Sequence, residues 1–437
     1  MVERLKNYLG TEVDNSPLIL FRVCFGFLLA VEAFGAIGTG WVHANLIDPE
    51  ITFPFIMVSW LKPLPGQWML VYYGLMGLAG VGIMLGYRYR ISAISYFVMW
   101  LGVYLMQKTS YNNHYYLMVL LTGIMSLLPA HHAYSLDVKA GRVVYSDKCY
   151  RVFNVGFAAQ IVLVYWVAGL VKIYPDWLQA KPIAIWFNGK TDYPVIGALL
   201  GQTWFHYFIS YAGIVYDLII PFVLINNRTR KLGFYLSVAF NLFNSAVFQI
   251  GVFPYMMISL SVFFYRGEQI RKAFFRGKPI VKPSAGFIST PVYWMVVAFF
   301  IWQLYLPIRH FHYPGPVTWT EEGHRMAWRM MLKVKGGHAI FNVIDKSTGE
   351  EWKEMPVKHC TRKQAIKVAT HPDMTWQYAQ FLKQHYADQG RDVAIFVDGK
   401  VSLNKSKYHQ LIDPNVDLAS VDWNHFSHNK WILYPND

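Results

Sequence analysis

QIVLVYWVAGLVKIYPDW, residues 160–177, closes an apolar run that begins at Val152 and carries no formal charge until Lys172. About twenty such residues make a helix long enough to cross the hydrocarbon core of a bilayer, where each backbone polar group must be satisfied within the segment. An amine sits where this run gives way to Tyr174, Pro175, Asp176 and Trp177. Two readings of it are open. One is a snorkelling anchor at the membrane surface. The other is a base in a dry site, because burial disfavours the charged form of an amine. On a helix the face of Lys172 carries Gly169, Ala168 and Tyr165. Small residues let a second helix pack close, which turns that face into a bundle and away from lipid. Asp176, one turn on, is a candidate partner that would keep the amine charged.

The rest of the chain repeats the pattern. Of 437 residues 54% are hydrophobic and 15% charged, and the apolar residues come in blocks. The expected fold is a polytopic α-helical membrane protein of about nine spans, near 17–37, 67–86, 90–107, 114–133, 152–172, 204–226, 232–250, 252–266 and 290–308. Residues 1–308 form the expected transmembrane catalytic domain. Residues 309–437 form an α+β, strand-rich extracytoplasmic domain. There AWRMMLKVKGGHAIFNVIDKSTGEEW reads as a hairpin turning at Lys-Gly-Gly and Lys-Ser-Thr-Gly, and DVAIFVDGKVSLN as strands around Asp-Gly. Between them lies a helical stretch, 361–388, interrupted near Pro372. The N-terminal segment reads as a short amphipathic helix on the membrane.

The net charge of +14 is spread over short loops: Arg88 and Arg90, then Lys139 to Arg151, then Arg228 to Lys231, then RGEQIRKAFFRGKPIVK. The alternate loops are poor in lysine and arginine. That alternation is the positive-inside pattern and argues against nucleic acid as a partner. It places the N-terminus in the cytoplasm and 309–437 outside. Three cysteines, Cys24, Cys149 and Cys360, show no disulfide framework. The low cysteine count favours a bacterial inner membrane with a periplasmic domain over the endoplasmic reticulum, although Asn404-Lys405-Ser406 is a candidate glycosylation sequon. The long outer loops 38–66 and 173–203 are rich in proline and tryptophan.

Two further clusters could carry chemistry. KTSYNNHYYL, 108–117, sets Asn112, Asn113 and His114 at the start of the fourth span. Asparagine offers donors and acceptors, and histidine passes protons; the alternative is a polar cap on a helix start. The expected topology puts His114 and Lys172 at one membrane face, beneath the outer domain. NLFNSAVFQIGVFPY, 241–255, aligns Asn241, Asn244, Ser245 and Gln249 on one helix face. A polar stripe within the membrane faces protein or water; interhelical hydrogen bonding explains it equally. Arg22, Glu32 and Asp217 are costly in lipid and read as structural pairs or pathway residues. No metal-ligand spacing, P-loop or nucleotide fingerprint is convincing, so no metal is expected.

Taken together, KTSYNNHYYL, QIVLVYWVAGLVKIYPDW and NSAVFQIGVFPY resemble the vitamin K-dependent γ-carboxylase family and the wider group with the horizontally transferred transmembrane domain. WMLVYYGLMGLAGVGIMLGYRYRIS and QLYLPIRHF also fit. The resemblance implies that Lys172 deprotonates vitamin K hydroquinone. With dioxygen the cofactor becomes a stronger base that removes the γ-proton of a glutamate; carbon dioxide adds, and the quinone leaves as its epoxide. It implies that His114 assists proton transfer and that Asn113 and Asn112 hold the quinone, with Tyr165, Asn241 and Asn244 completing the cofactor site. The partners implied are a glutamate-containing protein or peptide on the extracytoplasmic side, membrane lipid and a quinone-recycling reductase. Animal carboxylases have histidine where Asn241 stands, so an epoxidase without carboxylation is an alternative; a non-catalytic lipid-binding or transport protein on this scaffold is another.

Overall fold

The computed structural model describes residues 2–435; Met1, Asn436 and Asp437, at the ends of the two expected domains, lie outside the described residues. Helix α1 (Val2–Gly10) precedes α2 (Ser16–Gly38), α3 (Trp68–Leu85), α4 (Tyr89–Met106), α5 (Asn113–Leu127), α6 (Arg151–Leu170), α7 (Thr203–Ile225), α8 (Arg230–Phe248), α9 (Phe253–Leu260) and α10 (Thr290–Ile308). Six of these are long and apolar enough to cross a membrane: α2, α3, α4, α6, α7 and α10. The other three expected spans are α5, of 15 residues, the more polar α8, and α9 extended by a 3-10 turn to Phe264.

Small residues set how closely the helices approach. A Cβ on Gly26 would lie 2.3 Å from the Met84 backbone nitrogen, and one on Gly80 would lie 2.7 Å from that of Ala30. Helices α2 and α3 therefore touch backbone to backbone, where dispersion contacts and not the hydrophobic effect hold membrane helices together. The buried Arg22 guanidinium spans out from α2 to the carbonyls of Ala130, Ala133 and Tyr134 at 3.0, 3.1 and 2.6 Å. It closes the turn after α5, which resolves one of the costly charges as structural. Nearby, β1 (Glu12–Asp14) pairs antiparallel with β2 (Lys148–Tyr150), tying the N-terminus to the start of α6.

Beyond α10 the chain forms an antiparallel sheet of β3 (Lys335–Asp345), β4 (Glu351–Glu354), β5 (Val393–Leu403) and β6 (His409–Gln410), in the order β4-β3-β5-β6. Helices α11 (Arg362–Thr370) and α12 (Pro372–Ala387) pack on it, and Phe341, Val343, Ile395 and Val397 meet Val368, Tyr378 and Leu382 in its core. The break at Pro372 falls where expected. Two expected turns are strand instead. Lys-Gly-Gly opens β3, with Gly337 opposite Val401; a Cβ there would sit 2.9 Å from the Val401 side chain. Asp398-Gly399 lies inside β5, where a Cβ on Gly399 would press within 3.0 Å of Ile412. Both glycines serve close packing and not a change of direction. The candidate sequon is also corrected. Asn404 is buried, its amide donates to Asp176 at 2.8 Å and its oxygen accepts from the Val334 N–H at 2.9 Å, so no glycan fits there.

Loop 38–66 joins the two regions. Phe55 N–H donates to the Leu105 carbonyl and Lys108 N–H to that of Phe53, while Gln364 and Gln377 reach the carbonyls of Ile51 and Pro54. Loop 173–203 folds into three short helices.

Candidate active site

Helix α6 ends at Leu170, and Lys172 lies two residues beyond, where the backbone turns away. Gly169 decides what the amine meets. A Cβ on it would sit 2.9 Å from Leu218 and 3.2 Å from the Cβ of Asp217, so only glycine lets α7 approach this closely. Across that contact the Lys172 amine donates directly to the Asp217 carboxylate. The side chains are 12% and 4% exposed, so this is an ion pair removed from water. The expected partner, Asp176, is engaged elsewhere: it accepts from Lys181 at 2.7 Å and from Asn404. The correction has a simple cause. Pro175 starts a new one-turn helix after the break, so Asp176 does not stand one helical turn above Lys172.

The pair faces a cavity of about 450 Å³ among α6, α7, α8 and α9, lined also by His114, Tyr165, Tyr216, Asn241 and Asn244, with Met330 and Met331 bordering it from the outer region. Its walls are otherwise apolar and aromatic. The His114 ring stacks on Phe253 at 3.9 Å between centroids. Tyr165 and Tyr216 hydroxyls are 3.4 Å apart, and Tyr216 donates on to Ser237 at 3.2 Å. Asn241, buried, donates to the Ser237 carbonyl at 2.8 Å, and Tyr216 stacks on Phe240. Trp177 sits with its ring 5.5 Å from the amine and is fixed by reciprocal hydrogen bonds with Ser210.

Five of the seven expected site residues therefore share one cavity: Lys172, His114, Tyr165, Asn241 and Asn244. Asn112 and Asn113 do not line it. Asn112 caps α5, accepting from the Tyr115 N–H at 2.7 Å, the alternative left open by the sequence. Asn113 is buried and ties down the chain after α10: its amide donates to the Arg329 carbonyl, and its oxygen accepts from Trp328 N–H and Tyr111 hydroxyl. Both ends of the Asn113 side chain and the oxygen of Asn112 are spent on protein groups away from the cavity.

Two family models cover the chain. The HTTM domain matches residues 11–268, and the vitamin K-dependent gamma-carboxylase, lumenal domain matches residues 289–437. The chain belongs to the vitamin K-dependent γ-carboxylase family. Family membership supports a membrane carboxylase that works with vitamin K, carrying a domain of lumenal type. No solved structure matches it.

A second cavity, of about 220 Å³, joins the two parts of this carboxylase-family chain. It is lined by Asn112, Asn113 and His114 on the helix side and by Glu321, His324, Arg329, Lys333, Lys367 and His371 on the other. Ligand atoms of Glu321, His324 and His371 lie within 4.8 Å of one another, a spacing a metal ion could accept. The Glu321 carboxylate, however, already accepts from Lys333 at 2.6 Å and Lys335 at 3.3 Å. Burial alone would raise the Glu321 carboxyl, but Lys333 and Lys335 outweigh it and hold it well below the usual range. Burial lowers Lys335 to about 7 and His324 to about 3. Below this cavity Asp373 accepts from Lys108 at 2.5 Å and Arg325 at 2.7 Å, clamping the outer helices to the bundle. Unlike Asn112, Asn113 and His114, the outer residues Glu321, His324, Lys367, His371 and Asp373 stand in no motif that marks a site. The available signal was the charged, Met-rich stretch EEGHRMAWRMML, 321–332, between the last span and the sheet.

Proposed function

We propose that this chain is an integral-membrane γ-glutamyl carboxylase and vitamin K epoxidase, acting on glutamates of a protein or peptide with dioxygen and carbon dioxide as co-substrates. One observation carries the reading: an apolar cavity among membrane helices gathers His114 and the Lys172–Asp217 pair from separate segments. The cavity fits a reduced naphthoquinone, with aromatic walls for the rings and few polar groups for the hydroxyls. Bound there with dioxygen, that group supplies a base stronger than any side chain. Lys172 takes the hydroxyl proton once its own has passed across the hydrogen bond to Asp217, which also positions the amine. His114, stacked on Phe253, is placed to relay a proton at the outer end. Tyr165, Asn241 and Asn244 orient the ring system. Asn113 and Asn112 act one step back, holding the segment that borders the cavity. The apolar walls exclude water that would quench a strong base.

In this reading 1–308 spans the membrane nine times and 309–437 presents the substrate on the periplasmic side of a bacterial membrane, with a quinone reductase recycling the cofactor. Asn241 favours a second reading, epoxidation alone: its amide is committed to Ser237 and cannot carry a proton. The test is one assay with two readouts, epoxide formation and labelled carbon dioxide in a glutamate peptide, on protein in nanodiscs. Both products, absent in Lys172→Ala, support carboxylation. Epoxide alone supports the second reading. Neither product in the wild-type protein overturns both and leaves a lipid-binding scaffold.

A further inference from the structure

A third cavity, of about 620 Å³, lies between α5, α6 and α10, away from the site described above. Among the described residues its only polar lining is Tyr150 and Ser289, both at the end of the bundle opposite the sheet; the remainder, including Phe153, Val296 and Phe300, is apolar. It exists because α10 is loosely seated. Only 22% of that helix is buried, against 39–56% in the other five long apolar helices. Its outer end is pinned where Gln303 donates to the Tyr116 hydroxyl at 2.8 Å and Leu306 enters the core. Its other end is pinned where Lys6 donates to Thr290 at 3.1 Å. Between these points the helices stand apart, and a Cβ on Gly156 of α6 would meet nothing within 4 Å.

Such a space at membrane depth offers water no polar partners. An acyl chain fits it, but gains nothing hydrophobic by leaving the bilayer, since lipid tails are as apolar as leucine. Selectivity must come from the polar end. Three cations lie on the segments that border it. Lys6 lies 5.0 Å over the Phe287 ring that lines the crevice. Arg151, between lining residues Tyr150 and Val152, stacks on Tyr8. Arg90 donates to the Ser126 carbonyl at 2.6 Å, one residue before lining Leu127. Glu3, paired with Lys6, is the one carboxylate in direct contact with this trio among the described residues. We infer that this crevice is a binding site for one anionic glycerophospholipid, its acyl chain between α6 and α10 and its phosphate among Arg90, Arg151 and Lys6. The lipid then forms the missing wall of α10, the helix that leads into the outer region.

Native mass spectrometry of the full chain, released from nanodiscs of equal phosphatidylglycerol and phosphatidylcholine, tests this without any activity. The wild type is expected to retain one phosphatidylglycerol. Gly156→Phe fills open space and lowers the retained fraction at least about tenfold, the loss of one well-packed contact set. Arg90→Gln with Arg151→Gln keeps a lipid but loses the preference for the anionic headgroup. Retention unchanged in Gly156→Phe, equal retention of phosphatidylcholine by the wild type, a quinone in the lipid's place, or no retained lipid overturns the proposal. If Gly156→Phe does not fold, the paired arginine variant decides by headgroup preference alone.

Discussion

The cavity among the helices holds a single ion pair inside apolar and aromatic walls, whereas the cavity beneath the sheet crowds a carboxylate, two imidazoles and several cations into half the volume. Both border His114. In the first, each charge has one partner and nothing else to turn to: Lys172 on Asp217. In and next to the second, charges are shared, with Glu321 serving two lysines and, outside the lining, Asp373 serving Lys108 and Arg325. A dry site with one pair is chemically poised and fragile; a network is buffered against the loss of one member. The difference separates the proposed place for chemistry from a joint between two parts of the chain.

Removing the amine gives the largest expected effect. Lys172→Met is expected to lower epoxide formation by about 10²–10⁴-fold, the usual worth of a positioned base. It also leaves Asp217 buried without a partner, which costs about 3–5 kcal/mol. The double variant Lys172→Met with Asp217→Leu is expected to recover most of that stability and none of the activity. Thermal unfolding in micelles, set beside the epoxide assay, reads both. Recovery of activity in the double variant would remove Lys172 from the chemistry.

The joint should fail differently. Asp373→Asn strips Lys108 and Arg325 of their shared counter-charge, with an expected cost of about 3 kcal/mol. The effect should fall on the contact between bundle and outer helices, so proteolysis is expected to cut loop 38–66 faster while the spans stay protected. Uniform loss of protection would mean that the network is part of the bundle and not a joint.

Acid sharpens the contrast. Burial holds the imidazoles of His324 and His371 below the ordinary histidine value, His324 at about 3. In the unfolded chain both take a proton near pH 6.5. Below that the unfolded state binds more protons, so stability falls with pH, by about 1–2 kcal/mol for each histidine between pH 6.5 and 5. Glu321 and Asp373 add less than about 0.2 kcal/mol each in that window, because both stay ionised in the fold and are only slightly protonated in the unfolded chain near pH 5. His371→Gln is expected to lose less thermal stability than wild type on going from pH 7 to pH 5. An equal loss would place that histidine outside the buried network.

How much of this was legible follows from what an ionisable group costs where it stands. Lys172 and His114 were readable because they interrupt apolar sequence, and Gly169 because small residues mark a helix contact. Asp217 was readable as costly but not as the partner of Lys172, which lies 45 residues away. Pairing across helices leaves no spacing in the sequence. In the soluble part charges are ordinary, so Glu321, Arg325 and Lys333 carried no such mark. Asn112 and Asn113 show the reverse ambiguity: polar residues at a helix start suit a ligand or a cap, and the fold engages them with Tyr115 N–H and with the segment around Arg329. Gly337 and Gly399 misled as turns because close strand packing needs the same residue.

The smallest expected effect tests that last kind of mistake. Sequence proximity favours Asp176 as the partner of Lys172; the fold gives it to the exposed Lys181 and the buried Asn404. Lys181 is 47% exposed, so solvent screens that pair and its loss costs less than about 1 kcal/mol. Asp176→Ala is therefore expected to leave epoxide formation within about twofold of wild type, while Asp217→Asn, which removes the carboxylate but keeps the side chain's shape, lowers it by about 10²-fold or more. The two substitutions delete the same charge from positions 41 residues apart in sequence. If Asp176→Ala proved the more damaging, the amine would answer to the loop and not to α7, and the close helix contact at Gly169 would have no part in the chemistry.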